Sequence, residues 1–164
     1  MLLFEPSQYQ AEIAARFQDV RTVISALVPE GRVEHIGSSA IPGAVSKGDL
    51  DICLIVPLCT HAGIVSRLIA QGYQEQQDTL RTPELCMLNS PASAAEHAIQ
   101  LVASGSEFEN FLQFRDALLA NPALVEQYNA VKSQSSHLGA GSYRAAKSAF
   151  IAMVLASCKA KTNE

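Results

Sequence analysis

Residues 33–56, VEHIGSSAIPGAVSKGDLDICLIV, decide the fold. The stretch reads as a short strand, a tight Gly37-Ser38 turn, an irregular segment holding Pro42 and Gly43, and a second strand that opens on two acids. Alternate side chains of a strand project to one face. Asp49 and Asp51 therefore share a side, about 7 Å apart along the chain. Leu50, Ile52, Leu54 and Val56 take the opposite face, while Cys53 and Ile55 follow the acids. Beyond its head this strand is apolar on both faces, the pattern of a buried strand. Two acids at its mouth are costly unless a cation or a basic group offsets them. Taken alone they read as a solvated strand end, but the turn before them supplies the other half of a site.

That half is Gly37-Ser38. Glycine lets the backbone approach a ligand closely, and N–H groups exposed at such a turn suit phosphate. A phosphate cradle beside a carboxylate pair able to hold Mg²⁺ is the chemistry of phosphoryl or nucleotidyl transfer. Gly37-Ser38, ten residues, then Asp49-Leu50-Asp51 resembles the glycine-serine plus acid-x-acid signature of the polymerase-β-like nucleotidyltransferases.

A closer resemblance is carried by His35-Ile36-Gly37-Ser38-Ser39-Ala40-Ile41-Pro42-Gly43, followed by Lys47 and Asp51. It returns at His97, at Phe114-Arg115-Asp116 with Leu118 and Asn121-Pro122, at Tyr128 with Lys132, and at Tyr143, Lys147 and Phe150. This ordered set is similar to the GrpB family, small bacterial proteins assigned to the nucleotidyltransferase fold and largely without an established reaction. The chain departs from the family pattern twice. Asp49 stands where an apolar residue is usual and restores a full acid pair. Gln100 stands where a second histidine is frequent.

At 164 residues the chain suits one domain, 1–164, burying roughly 70% of its unfolded surface, with 104–160 as a helical subregion. Apolar content of 48% with 17% charged residues is that of an ordinary globular protein. A net charge of −4 excludes a broad nucleic-acid-coating surface but leaves room for a local basic pocket. Cys53, Cys59, Cys86 and Cys158 form no CxxC pair and no zinc spacing, so buried thiols in a reducing cytoplasm are expected. The start, MLLFEPSQYQ, does not read as a signal peptide, and no apolar run reaches membrane-spanning length.

Ser7-Gln8-Tyr9-Gln10 predicts a capping box with Ser7 as N-cap. Tyr9, Ile13, Phe17, Val20, Ile24 and Leu27 then follow at helical spacing. Thr60 is the expected cap of a second helix that ends at Gly72. Strands are predicted at 73–76, 85–88 and 97–102, the last with Glu96 at its head and Gln100 where a third carboxylate is expected of a transferase. After Ser104 the apolar period shifts from two to about 3.6, predicting three helices, with 133–141 a polar loop. Arg115 and Lys147 interrupt apolar stripes there. A cation in such a place either pairs structurally or faces a ligand.

These observations predict an α/β (α+β) chain: a nucleotidyltransferase-like mixed sheet flanked by helices, the strand at 50–56 central, and a C-terminal helical part. The function expected is Mg²⁺-dependent transfer of a nucleoside monophosphate from a nucleoside triphosphate to an unidentified acceptor. Asp49 and Asp51 are the expected catalytic and metal-binding residues. Gly37, Ser38, Ser39, Lys47, Arg115 and Lys147 are the expected phosphate ligands, with His35, His97 and Gln100 supporting. The alternative is a non-catalytic nucleotide-binding or regulatory module on the same fold. A Ser38/His35 hydrolase is the least favoured reading, because residues three apart on a strand and turn are poorly placed for proton transfer.

Overall fold

The computed structural model describes residues 1–162. Helix α1 (Pro6–Leu27) buries Tyr9, Ile13, Phe17, Val20 and Ile24 along one stripe, as their spacing predicts. It starts before the expected cap. Glu5 is the N-cap, its carboxylate taking the Gln8 amide while its own N–H donates to Gln8 Oε1 at 2.7 Å. Pro6 lacks a donor and so suits the first helical position, which places the reciprocal Glu5–Gln8 pair just ahead of Ser7.

Five strands follow: β1 (Arg32–Ile36), β2 (Asp51–Val56), β3 (Gln74–Glu75), β4 (Leu85–Asn89) and β5 (Ala98–Ala103). The sheet order is β1-β2-β5-β4-β3. The pair β2–β5 is parallel and the other three pairs are antiparallel, so the sheet is mixed. The middle strand is β5 rather than β2, which lies one place in. A parallel pair needs a long crossover. Here that connection carries helix α2 (Leu58–Ala70) and then the β3–β4 hairpin, which fills the far side of β5. Thr60 lies inside the first turn of α2, its hydroxyl donating to the Pro57 carbonyl at 3.0 Å, and Pro57 holds the cap position.

The alternation read in β2 decides the layers. Ile52, Leu54 and Val56 join Ile13, Phe17, Ile64, Leu68 and Leu101 in a core under α1 and α2. Cys53 and Ile55 face the other way, against Phe108 and Leu112. Helices α3 (Asn110–Leu119), α4 (Pro122–Ser135) and α5 (Ala140–Thr162) share a third cluster of Phe114, Leu118, Tyr128 and Phe150 with Ile41 and Ala44 from the loop before β2. Each such large side chain gains roughly 1.5–3 kcal/mol on burial.

Asn121 caps α4 as expected, accepting from the Ala123 amide at 3.1 Å, with Pro122 at the first position. The loop predicted at 133–141 is shorter than its composition suggests, because α4 continues through Ser135. The Ser135 and Ser136 hydroxyls donate back to the Val131 and Ser133 carbonyls at 2.6 and 2.9 Å, which keeps these polar residues in helical backbone. Among the described residues no helix is long and apolar enough to cross a membrane.

Candidate functional site

Asp51 opens β2 and pairs in register with Ile36, the last residue of β1. The turn that leaves β1 therefore crosses directly in front of the Asp51 carboxylate. Gly37 there has φ +76°, and a Cβ on it would meet Asp51 Oδ2 at 2.7 Å and Asp51 Cβ at 3.2 Å. Glycine is required on both counts, dihedral and space. Ser38 then begins a single 3₁₀ turn, Ser38–Ala40.

Asp49 lies just outside the strand, exposed, with its carboxylate 2.8 Å from the Lys47 ammonium. That hydrogen bond is the main cause of a raised Lys47 pKa. Asp51 is only partly exposed. Burial, and next the like charge of Asp49, push its carboxyl above the usual carboxylate range, against the pull of Lys147 and Lys47. Gln100, partner of Cys53 in β5, projects from the same face of the sheet as Asp51. Its Oε1 is buried and without a hydrogen-bond partner. Such an orphaned oxygen costs about 1–3 kcal/mol. The carboxylate oxygens of Asp49 and Asp51 are the donor type a hard cation such as Mg²⁺ takes, while the Gln100 amide donates to Asp51. Among the described residues no group of three or more His, Cys, Asp or Glu is placed to hold a metal, so the negative charge on offer here comes from the two aspartates.

Two cavities meet at these residues. The first, about 420 Å³, is bounded by Gly37, Ser38, Lys47, Asp49, Asp51 and Gln100, and otherwise largely by apolar side chains, with rings such as Phe108, Phe111, Tyr128 and Tyr143 among aliphatic residues. Lys147 of α5 lines it, 5.3 Å from the centre of the Tyr143 ring. Its pKa is lowered by burial and then by Lys47, with Asp51 and Asp49 acting the other way. The second cavity, about 740 Å³, shares Lys47, Asp49, Asp51 and Gln100 with the first.

The remaining expected residues are distributed differently. Ser39 is buried and shares a 3.0 Å hydrogen bond with His35 Nε2. His35 stacks on Phe17 at 4.8 Å, on the α1 side of the sheet, and burial followed by the charge of Arg115 lowers its pKa to about 4. Neither residue lines either cavity. Arg115 also lines neither, so the cleft expected to hold it together with Asp51 holds Lys147 alone of that pair. Its guanidinium donates to Glu34 Oε2 at 2.7 Å, to the His35 carbonyl at 3.0 Å and to Asp116 Oδ1 at 2.9 Å, so its charge is already met by two carboxylates and a carbonyl. His97 lines the second cavity, with Nε2 2.9 Å from the Tyr73 hydroxyl and Nδ1 2.6 Å from the Ala95 carbonyl.

One residue of consequence escapes the sequence reading as a site residue. Lys132 is fully buried; its ammonium donates to Ser38 Oγ at 3.1 Å and to the Val45 carbonyl, and lies 4.3 Å from the centre of the Tyr128 ring. Burial, then the charge of Lys147, lowers its pKa to about 7. The signal was present: Val125, Tyr128, Lys132 and Ser135 form one buried stripe on α4, so a cation interrupts apolar spacing here as Lys147 does on α5.

Comparison with known proteins accords with this geometry. Residues 5–157 match the family model described as GrpB protein. A UPF0157 protein of Vibrio cholerae is 46% identical over 155 residues, covering 94% of this chain and 82% of the relative. The crystal structure of conserved protein GrpB from Enterococcus faecalis superposes with a TM-score of 0.79 at 22% identity, covering 99% of this chain and all of that one. The Cid1 poly(U) polymerase with MgGTP bound gives a TM-score of 0.53 at 16% identity, covering 77% of this chain and 42% of the larger protein. The fold is thus nucleotidyltransferase-like, and on the match that runs through nearly its whole length the chain belongs to the GrpB family.

Proposed function

We propose that this protein is a Mg²⁺-dependent nucleotidyltransferase that moves a nucleoside monophosphate from a nucleoside triphosphate to an acceptor hydroxyl. The observation that carries the reading is the packing of Gly37 onto Asp51, which joins a phosphate-type turn to an acid pair at the edge of a largely apolar cavity. The fold shared with a polymerase whose structure holds MgGTP supports it.

In this mechanism the Gly37 and Ser38 amides receive phosphate oxygens, and the base lies among the aromatic rings of the first cavity. Lys147 and Lys47, which both line the first cavity, supply positive charge to the triphosphate. Asp49 and Asp51 would hold Mg²⁺, which would neutralise phosphate charge when bound. The acceptor oxygen bonds to the α-phosphorus as its bond to the bridging oxygen breaks, and pyrophosphate leaves. Ser39, His35 and Arg115 support the turn from behind. Arg115 clamps the His35 carbonyl at the end of β1, and His35 holds Ser39. The buried thiols of Cys53 and Cys86 suit a reducing cytoplasm.

The test is thermal shift with ATP, GTP, CTP and UTP, each with and without Mg²⁺, followed by an assay for pyrophosphate release. A Mg²⁺-dependent rise in Tm with at least one triphosphate is expected. A melting curve unmoved by every combination sinks the reading. The second reading, a binding module without turnover, is favoured by one observation: β5 offers the neutral Gln100 near Asp51 and no third carboxylate. It calls for the same shift and no pyrophosphate with any acceptor.

A further inference from the structure

A transferase must bring a second substrate to the metal-binding acids, and here those acids form a wall common to two cavities of opposite character. Outside the shared residues the first is mainly apolar, with five aromatic rings and Lys147, which suits a nucleotide. The second, about 740 Å³, is lined by Arg16, Gln76, Asn89, Ser90, Glu96 and His97. That volume suits a small molecule. We propose that the second cavity is the acceptor subsite and that its occupant is a small, hydroxyl-rich molecule without anionic groups. The proposal rests on the transferase reading above.

The charges carry the first half of the argument. Both cations that line this cavity are already paired, Arg16 with Glu12 at 2.7 Å and Lys47 with Asp49 at 2.8 Å. Beyond Asp49, which answers Lys47, Glu96 and Asp51 add negative charge. An anionic guest would meet repulsion there, whereas the first cavity keeps Lys147 for phosphate. A nucleic-acid strand needs a basic track and aromatic platforms for its bases. This cavity has no Phe, Tyr or Trp in its lining, and the chain carries a net charge of −4.

Hydrogen-bonding capacity carries the second half. Gln76 Nε2 donates to Asn89 Oδ1 at 2.9 Å, which leaves the Gln76 carbonyl and the Asn89 amino group for a guest. The Ser90 hydroxyl accepts from the His97 amide at 3.1 Å and retains its own proton to donate. Paired donors and acceptors of this kind match hydroxyl groups, each of which both gives and receives. In the reaction one of those hydroxyl oxygens bonds to the α-phosphorus, the bridging oxygen leaves with the electron pair as pyrophosphate, and the hydroxyl proton is released to solvent.

The experiment uses the full chain, ¹⁵N-labelled, with its amide signals followed by NMR. Glucose, ribose, myo-inositol and glucosamine are titrated in Mg²⁺, with and without the four triphosphates, and a short oligouridylate is titrated in parallel. Saturable shifts of the Gln76 and Asn89 side-chain amides and the Ser90 amide by at least one of the four small molecules are expected. Asn89→Leu should abolish the shifts at Gln76 and Ser90 and leave nucleotide-induced shifts at Gly37 intact. The proposal is overturned when none of the four moves those signals, or when the oligouridylate moves them instead. Silence at Gly37 with every triphosphate sinks the transferase reading on its own, and the small-molecule titration in Mg²⁺ alone still reports on the cavity.

Discussion

Gly37 and Asp51 are in such close register that a single methyl group on the glycine would lie 2.7 Å from the carboxylate Oδ2. The contact couples the shape of the turn to the position of the acid, because neither can move without the other. Gly37→Ala adds a steric clash to an unfavourable φ of +76°. A loss of about 1–3 kcal/mol in stability is expected, together with at least a tenfold loss of triphosphate affinity. Denaturant unfolding and calorimetric titration measure the two separately, and an unaltered affinity would detach the turn from the site.

The acids predict a metal-dependent exchange of stabilities. Burial and the Asp49 charge raise the Asp51 pKa, so the folded state disfavours the ionised form. That penalty is absent at acid pH, where the carboxyl is protonated in both states, and grows as pH rises through the folded-state pKa. Without metal, Asp51→Asn should therefore melt higher than wild type at neutral pH, by about 2–4 °C per kcal/mol gained, and the gap should close on acidification. Added Mg²⁺ should reverse the order by stabilising wild type alone. Equal Mg²⁺ effects on both proteins would remove the metal from the acid pair.

His35 gives a pH dependence of known sign. Its folded-state pKa of about 4 lies below its ordinary 6.5, so the unfolded chain takes up a proton that the folded chain refuses. Stability from this source is complete above pH 6.5 and is lost as pH falls toward 4, by about 3 kcal/mol. His35→Gln, which keeps a polar partner for Ser39, should lack that share of the acid loss. Parallel stability curves for the two proteins would contradict this account.

Lys132 acts over the alkaline range. Its pKa falls from 10.5 to about 7 on folding, so the unfolded chain is the better base between those values. Stability should rise with pH from about 7 to about 10.5, by on the order of 4 kcal/mol, and Lys132→Met should flatten that rise. The same substitution removes the donor to Ser38, so triphosphate affinity should fall as well. The measurement is urea unfolding across this range, with wild type and variant compared at each pH.

Arg115 separates support from direct contact. Arg115→Met removes the partner of Asp116 and of the His35 carbonyl and leaves Glu34 only Arg32, at 3.7 Å, so a loss of about 1–3 kcal/mol is expected. Lys147→Met should instead weaken triphosphate binding with little effect on Tm, because Lys147 lines the cavity and carries a lowered pKa there. Binding and melting data that assign the two losses the other way round would exchange their roles.

The fold was legible wherever local pattern and burial agree. The alternation of Ile52, Leu54 and Val56 against Cys53 and Ile55 separated the two faces of β2, and packing alone decides that the first meets α1 and α2. The change of period after Ser104 gave α3, α4 and α5. What stayed hidden depended on partners far along the chain. Asp116, one of the two carboxylates that meet Arg115, is its neighbour in sequence, but the other, Glu34, belongs to β1 and no spacing within α3 reveals it. The end of α4 escaped because serine hydroxyls bonded back to the helix look, in sequence, like loop polarity. Lys132 obeyed the same stripe logic as Lys147, but its place beneath Ser38 is set by packing between elements 94 residues apart.

That 94-residue link has a bearing on synthesis. A chain leaving the ribosome presents its acids and Gly-Ser turn first, while Lys132, Tyr143 and Lys147 are still to be made. At roughly 5–20 residues per second, the strands have several seconds in which to pair before α4 and α5 can close over them. During this interval the acid pair lacks the wall of the first cavity that Tyr128, Tyr143 and Lys147 supply. The first cavity is therefore complete only once the helix that carries Lys147 has been made.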